Sequence, residues 1–166
     1  MKQLNNLQSI ITKILENILL LFFSVIILTT ILLVILRYIF NTGIFGGNEL
    51  ISYLFIYTTA IGASVSIVKR DHIKITYFID KLPEILRTII DIIGHLLVIF
   101  INSVMIFYSL NWVKQAGVSE SPTLRVPMWV VQISVPIGCS LVIIYCIYLI
   151  IVDIFKNNKE TNGDVK

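Results

Sequence analysis

The chain has 166 residues, of which 57% are hydrophobic and 14% are charged, and its formal net charge at pH 7 is +3. Soluble domains carry about 25% charged residues, so this chain has too little polar surface to coat a water-soluble globule. The composition therefore excludes a soluble enzyme, a nucleic-acid-binding protein and a secreted disulfide scaffold.

Four segments of the chain contain no Asp, Glu, Lys or Arg, at residues 17–36, 50–68, 92–113 and 128–152. A bilayer core about 30 Å thick is crossed by roughly 20 apolar residues in a helix. We predict an all-α integral membrane protein whose four transmembrane helices coincide with these segments. Residues 1–155 are expected to form one four-helix membrane domain, followed by a polar, disordered cytoplasmic tail at residues 156–166.

The basic residues predict the orientation of the helices. Ten of the thirteen Lys and Arg residues lie in the two termini and the middle loop, whereas Arg37, Lys114 and Arg125 lie in the two hairpin loops. Cytoplasmic loops are enriched in Lys and Arg, and Trp residues collect at membrane interfaces, as Trp112 and Trp129 do beside these hairpin loops. We therefore predict cytoplasmic termini (N-in, C-in) and hairpin loops on the outer side.

The N-terminal residues 1–16 carry apolar side chains at helical spacing between Leu4 and Ile14, with polar residues between them. This pattern predicts an amphipathic helix lying in the inner interface, or a first span that begins early. The interfacial helix is favoured because Lys13 and Glu16 are costly to place deeper in the membrane.

The first hairpin loop predicts a helix start and a pair of charges. Asn48 suits the N-cap of the second span, and Glu49 then lies in the first turn, facing the positive helix end. Arg37 and Glu49 flank the loop at the same depth and could form an ion pair. Alternatively, Arg37 extends to lipid phosphates while Glu49 interacts with its own helix alone.

Small residues recur along the second span, where Thr59, Gly62, Ala63 and Ser66 fall on one helix face. Small side chains let helix backbones approach closely in lipid. The face is equally suited to packing within this domain and to packing against another protein.

The middle loop contains His72 and a second amphipathic segment at residues 73–82, which predicts an interfacial helix between the second and third spans. In the helix that follows, Arg87 is spaced to pair with both Glu84 and Asp91. A polar stripe that runs into a span indicates contact with protein, either a partner or the rest of this domain.

Prolines shape the second hairpin and the fourth span. Pro122 and Pro127 stiffen the loop 120–129, so it can present Arg125 to a docking protein without a large ordering cost. Alternatively, these prolines close a tight hairpin while Arg125 meets lipid headgroups. Pro136 lies inside the fourth span, removes a backbone hydrogen bond and predicts a bend.

The chain lacks the residue sets that catalysis or cofactor binding requires. Of its two histidines, His72 lies outside the spans, so a pair of axial haem ligands at depth is not expected. Cys139 and Cys146 lie about 10 Å apart on one predicted helix, too far for a disulfide between them. The spans also lack the ionisable residue that coupled carriers place there. We predict no enzyme activity, no cofactor and no metal site.

Several short motifs, in this order around four spans, resemble the DctQ-type small membrane subunit of TRAP transporters, the tripartite ATP-independent periplasmic transporters. They are Arg37-Tyr38-Ile39-Phe40-Asn41, Asn48-Glu49-Leu50, Gly62-Ala63, His72-Ile73, Ser121-Pro122-Thr123-Leu124, Pro127-Met128-Trp129 and Pro136-Ile137-Gly138. The resemblance covers residues 12–155. It departs from the family pattern at Gly47, where Trp is common, and at Asn48, where Thr, Ser or Glu is more usual.

The resemblance implies a scaffold subunit in the bacterial inner membrane that supports a large, sodium-coupled transport subunit. It also implies a periplasmic binding protein that delivers a carboxylate-bearing solute, such as a dicarboxylate, a sugar acid or sialic acid. Alternatives are an independent homo-oligomeric carrier or channel, and a membrane oxidoreductase subunit that binds haem or quinone. Candidate contacts with partner subunits or membrane lipids lie at the span ends and in the loops: Arg37, Glu49, His72, Arg87, Asp91, Ser121, Arg125 and Trp129.

Overall fold

The computed structural model describes the backbone of residues 2–69 and 84–163, and side chains at 6–69, 86 and 89–154. Its elements are α1 (Lys2–Ile39), α2 (Gly47–Lys69), α3 (Glu84–Ala116), α4 (Trp129–Gln132) and α5 (Ser134–Gly163). Four stretches are long and apolar enough to cross a membrane: Asn6–Ile39, Gly47–Lys69, Ile89–Ala116 and Trp129–Ile154. The predicted all-α class with four spans is confirmed.

The first span begins early, because α1 is one continuous helix of 38 residues from Lys2 to Ile39. The favoured prediction of a separate interfacial helix at residues 1–16 is therefore wrong. No Gly or Pro interrupts α1, and both are the residues that most often end a helix. Glu16, which argued for the interface, is paired with Lys69 of α2 at 2.8 Å.

The helix of the fourth span has a one-residue interruption three residues before Pro136, the residue at which the sequence predicts a bend. α4 ends at Gln132 and α5 begins at Ser134, with Ile133 between them. Pro136 has no N–H to donate to the carbonyl of Gln132, and its ring crowds that carbonyl. α5 then continues to Gly163, so residues 156–163 are helical and the predicted disorder of the tail is wrong for them.

The helices lie side by side in an open row. α1 packs on α2, α2 on α5, and α5 on α3, while the short α4 contacts α2, α3 and α5. Across the described ranges, α1 makes no extensive contact with α3, so the row does not close into a bundle. The most hydrophobic stretches of α1 and α3 bury 0% of their residues inside the chain, against 39% for the fourth span.

The seam between α2 and α5 forms the centre of the row. On α5, Tyr145 and Cys146 are 4% and 1% exposed, and on α2 Ser64 is fully buried. At Gly138 of α5, an added Cβ would lie 2.9 Å from the Cβ and 3.0 Å from the carbonyl oxygen of Ala60 in α2. Close backbone approach between small residues therefore sets the spacing of this seam.

The predicted small-residue face of α2 coincides only in part with this seam. Thr59 and Ala63 line a groove beside it, but an added Cβ at Gly62 would meet no atom within 4 Å. The predicted interfacial helix at residues 73–82 lies outside the described residues.

The two ends of the row are distinct. We call the end that carries residues 40–46 and 117–128 the hairpin end, and the opposite end, with the Glu16–Lys69 ion pair, the terminal end. Near the terminal end, the hydroxyls of Thr12 and Tyr145 lie 3.3 Å apart in a buried hydrogen bond that links α1 to α5.

We predict that Gly138→Ala destabilises the protein more than Gly62→Ala does. Both changes place Ala for Gly inside a span, so they gain the same helix propensity. The added methyl at position 138 overpacks the seam, which costs about 1–3 kcal/mol. The measurement is thermal unfolding of both variants in the same detergent. Equal unfolding temperatures would show that the α2–α5 seam does not require Gly at position 138.

Candidate functional site

The loop at residues 117–128 is a closed hairpin tied by its own backbone. The N–H of Met128 donates to the carbonyl of Ser119 at 2.9 Å, and the N–H of Trp129 donates to the carbonyl of Gly117 at 3.1 Å. Glu120 and Pro127 form an antiparallel bridge between the two sides of the loop. This pairing brings the ends of α3 and α4 together and leaves residues 121–126 as the tip.

The tip of this loop wraps around the carboxylate of Glu49, in the first turn of α2. Oε2 of Glu49 accepts hydrogen bonds from the N–H of Leu124 at 2.8 Å and from the hydroxyl of Ser121 at 3.2 Å. Oε1 accepts one from the N–H of Thr123 at 3.2 Å. Successive backbone N–H groups that face one anion form a stable concave binding site. We call Glu49 with residues 121–124 the carboxylate clamp.

Ser121 links Glu49 to the other side of the loop, and only 2% of its surface is exposed. Its hydroxyl donates to Glu49 and accepts from the N–H of Val126 at 3.3 Å. Its own N–H donates to the carbonyl of Val126 at 3.0 Å. The tip is therefore fixed from both sides of the loop.

The first hairpin loop contacts the clamp through Gly46. The backbone of Gly46 has φ +86°, a conformation that L side chains rarely adopt, and an added Cβ would lie 2.5 Å from Leu124 Cδ2. The N–H of Leu50 donates to the carbonyl of Gly46, so Gly46 is the N-cap of α2. The prediction of Asn48 as the N-cap is wrong by two residues, whereas Glu49 lies in the first turn as predicted.

Arg37 and Glu49 do not form the ion pair that their flanking positions suggested. Both oxygens of Glu49 are occupied by the loop tip. Arg37 is exposed near the end of α1 and lines a groove of about 800 Å³ between α1 and α2. Glu49 therefore binds the tip of the second hairpin loop, whereas Arg37 faces the groove between α1 and α2.

Beside the carboxylate clamp, the hairpin end exposes Arg125 and several large apolar side chains. Arg125 is exposed and has φ +50°, which fixes its backbone in the left-handed region. Trp129 is 48% exposed, Phe45 is 93% exposed and Val118 is 84% exposed. Aromatic side chains in such positions are typical of a membrane interface.

Of the remaining predicted contacts, Arg87 and Asp91 lie in α3, near the terminal end. Asp91 lies half-buried in α3, and its carbonyl accepts a hydrogen bond from Nδ1 of His95 at 2.6 Å. Arg87 lies in α3, but its side chain and that of Glu84 are outside those described, as is all of His72. The predicted pairing of Arg87 stays a prediction.

Two polar side chains near the interruption at Ile133, one half-buried and one buried, are not among the residues that the sequence predicts to be functional. The hydroxyl of Tyr57 in α2 donates to the carbonyl of Val130 in α4. Gln132 is 7% exposed, and its Oε1 has no hydrogen-bond partner in the part of the chain that the structure describes. In the sequence, Gln132 is an amide within an apolar run, and because it carries no charge it does not interrupt the charge-free segment 128–152.

An apolar groove of about 430 Å³ lies between α2, α3 and α5. It is lined mainly by apolar and small side chains, among them Phe55, Ala63, Gly138 and Val142. Asn102 also lines it, and its amide donates to the carbonyl of Val98. Among the described residues, no group of three or more His, Cys, Asp or Glu is placed to hold a metal ion.

Apolar helices in an open row, with charged groups at the ends, define a multi-pass membrane subunit. Residues 26–156 match the family model for the DctQ component of tripartite ATP-independent periplasmic transporters. The chain belongs to this family of TRAP transporter small permease subunits, and it is a multi-pass protein of the inner membrane. The resemblance drawn from the sequence motifs is confirmed.

Two curated relatives of this chain are also named as TRAP transporter small permease proteins. A protein of Haemophilus influenzae named as a TRAP transporter small permease is 28% identical over 124 residues, which cover 72% of this chain and 77% of the relative. The sialic acid TRAP transporter small permease protein SiaQ of Vibrio cholerae is 26% identical over 102 residues. That match covers 61% of this chain and 59% of SiaQ.

We predict that Glu49→Gln opens the carboxylate clamp. The amide retains one acceptor oxygen and turns an NH2 group toward backbone N–H groups that need an acceptor. Hydrogen bonds to charged groups are worth about 1.5–3 kcal/mol, so protection of the Thr123 and Leu124 amides should fall about tenfold or more. The measurement is hydrogen exchange of residues 117–128.

The matched control for this exchange experiment is Glu120→Gln. Glu120 is exposed in the same loop, and its side chain is not part of the clamp. Glu120→Gln removes the same negative charge at the same end of the protein. Because it leaves the Glu49 carboxylate in place, the Thr123 and Leu124 amides should stay protected. Equal loss of protection in both variants would mean that charge alone, rather than the clamp, orders the loop.

Proposed function

We propose that this chain is the scaffold subunit of a sodium-driven TRAP transporter that imports carboxylate-bearing solutes. It supports a large membrane subunit, which binds solute and sodium. Its termini face the cytoplasm, and its hairpin end faces the periplasm, where it contacts a substrate-binding protein. The family assignment supports the small-subunit role, and the other parts of the proposal rest on the arguments that follow.

The open row is the observation that supports a scaffold most strongly. Helices that enclose a transport path must surround it, but α1 and α3 make no extensive contact in the described ranges. The described carboxylates of the helices lie outside the charge-free segments 17–36, 50–68, 92–113 and 128–152, at Glu16, Glu49, Asp91 and Asp153. Coupled carriers place ionisable groups at depth in the membrane. A second chain is therefore needed to supply the site and the path.

The solute class is inferred from chemistry and from a relative. SiaQ of Vibrio cholerae is named for sialic acid, which is a carboxylate. The small subunit itself presents no solute site in our proposal, so the solute is selected by the large subunit and the binding protein. Dicarboxylates and sugar acids belong to the same chemical class.

The carboxylate clamp supports the docking part of the proposal. A loop fixed by three hydrogen bonds to Glu49 loses little conformational entropy when a partner binds it. Arg125 projects from this fixed loop as an exposed cation. It is a suitable contact for an acidic patch on a binding protein, because exposed charges steer association.

We predict that this chain reconstituted alone supports no sodium-driven uptake of sialic acid or of a C4-dicarboxylate. Proteoliposomes that also contain the large subunit should take up solute when the binding protein is added. The measurement is uptake of radiolabelled solute under an inward sodium gradient. Uptake by the small subunit without its partner would contradict the scaffold and favour an independent carrier.

We predict that Arg125→Glu lowers uptake by the assembled transporter at limiting concentrations of binding protein, and less at saturating concentrations. Exposed substitutions change stability by about 0.5 kcal/mol or less, so the membrane complex should assemble normally. The matched control is Lys114→Glu, which makes the same charge reversal at an exposed site near the end of α3.

Three outcomes of the docking experiment would contradict a direct contact between Arg125 and the binding protein. Unchanged uptake at every binding-protein concentration would remove it from the docking surface. Loss of assembled complex would place it at the interface with the large subunit. If Arg125→Glu and Lys114→Glu lowered uptake equally, the cause would be the net charge of the hairpin end and not a contact of Arg125. Labelling of Thr123→Cys by an impermeant thiol reagent in intact cells checks that the loop faces the periplasm.

A further inference from the structure

The groove between α1 and α2 at the hairpin end has polar residues toward the helix ends, which we call its rim, and mostly apolar residues deeper along the helices, which we call its floor. We call it the α1–α2 groove; its volume is about 800 Å³. Arg37, Asn41 and Asn48 lie on the rim. The floor side is lined by apolar residues and one threonine that lie deeper in the helices: Thr30, Leu33, Val34 and Ile51.

The rim carries hydrogen-bond donors that the chain itself does not use. The side chains of Arg37, Asn41 and Asn48 are exposed, and none of them makes a hydrogen bond or ion pair with another described residue. The nearest acidic residue in the sequence is Glu49, whose two oxygens bind the loop tip. The groove therefore presents a free guanidinium and two amides with no carboxylate to neutralise them.

The depth of the groove matches a membrane interface. Arg37 lies in the last turn of α1, where the charge-free part of the first span ends. Val34 and Thr30 lie about 5 and 10 Å below it along the helix, at 1.5 Å per residue. Thr30 presents no free donor at this depth, because its hydroxyl bonds the carbonyl of Ile26 at 2.7 Å.

We propose that the α1–α2 groove binds one phospholipid of the surrounding bilayer. Its phosphate meets the guanidinium of Arg37 and the amides of Asn41 and Asn48, and one acyl chain lies along Leu33 and Val34. Arg forms paired, charge-assisted hydrogen bonds with phosphate oxygens. A free phosphate would use the rim alone, and a partner carboxylate would leave the apolar floor empty. A phospholipid matches both surfaces at once.

The first test measures lipid binding by the full-length chain in detergent. Native mass spectrometry counts bound molecules during titration with phosphatidylglycerol. Diacylglycerol provides the tails without phosphate, and glycerol 3-phosphate provides the headgroup without tails. We expect one tightly bound phosphatidylglycerol and about tenfold weaker binding of either fragment. Equal binding of diacylglycerol, or saturable binding of glycerol 3-phosphate at the same concentration, would overturn the proposal.

Two pairs of variants locate the site. Arg37→Gln should weaken binding about tenfold, as expected for the loss of a charged hydrogen-bond donor. Arg125→Gln, which removes another exposed cation at the same end, should not weaken it. Val34→Trp fills the floor and should displace the lipid with Arg37 intact. Ile35→Trp, at an exposed neighbour outside the groove, should not.

The variant pairs also decide between a lipid and a protein as the occupant. If Arg37→Gln and Val34→Trp bind phosphatidylglycerol as well as the wild type does, the groove is not the lipid site. If these two variants bind phosphatidylglycerol normally but co-purify with less of the large subunit after co-expression, the occupant of the groove is a partner protein and the proposal is wrong. Lipid binding is measured on the single chain, so a failed scaffold assignment would not change this result.

Discussion

One carboxylate joins the two hairpin loops of this protein. Glu49 lies in the first turn of α2, in the middle of the row, and accepts hydrogen bonds from the loop that joins α3 to α4. Without this acceptor, the exposed N–H groups of Thr123 and Leu124 would lose the partner that fixes the loop tip. The positions of Leu124 against Gly46 and of Arg125 at the surface both depend on it.

The rest of the fold is consistent with packing in lipid, where burial of apolar surface gives no driving force between helices. Contacts form where small residues let helices approach, as at Gly138 against Ala60 and at Gly47, whose added Cβ would lie 2.7 Å from Leu33. These contacts join each helix to its neighbour without closing a bundle. Both broad faces of the row are thus available to lipid or to another chain.

The sequence predicts features that depend on nearby residues. Absent charges mark the spans. Pro136 predicts a local disturbance of its helix, because its effect reaches only one helical turn, and the interruption at Ile133 lies within that turn. The sequence does not predict hydrogen-bond or ion-pair partners that lie far along the chain. Glu49 bonds residues more than 70 positions away, through backbone N–H groups that any sequence possesses. The N-terminal prediction failed for the same reason, since the partner of Glu16 lies on α2.

The length of α1 sets a preferred hydrophobic thickness for the bilayer around it. Between Glu16 and Arg37 the helix rises about 32 Å at 1.5 Å per residue, close to the hydrocarbon core of about 30 Å. The Glu16–Lys69 pair marks one boundary on two adjacent helices, and Arg37 marks the other. A thinner bilayer forces the row to tilt, and a thicker one draws charged side chains toward the acyl region. The protein is therefore matched to a membrane of average thickness, and the part of α1 that precedes Glu16 extends beyond that core.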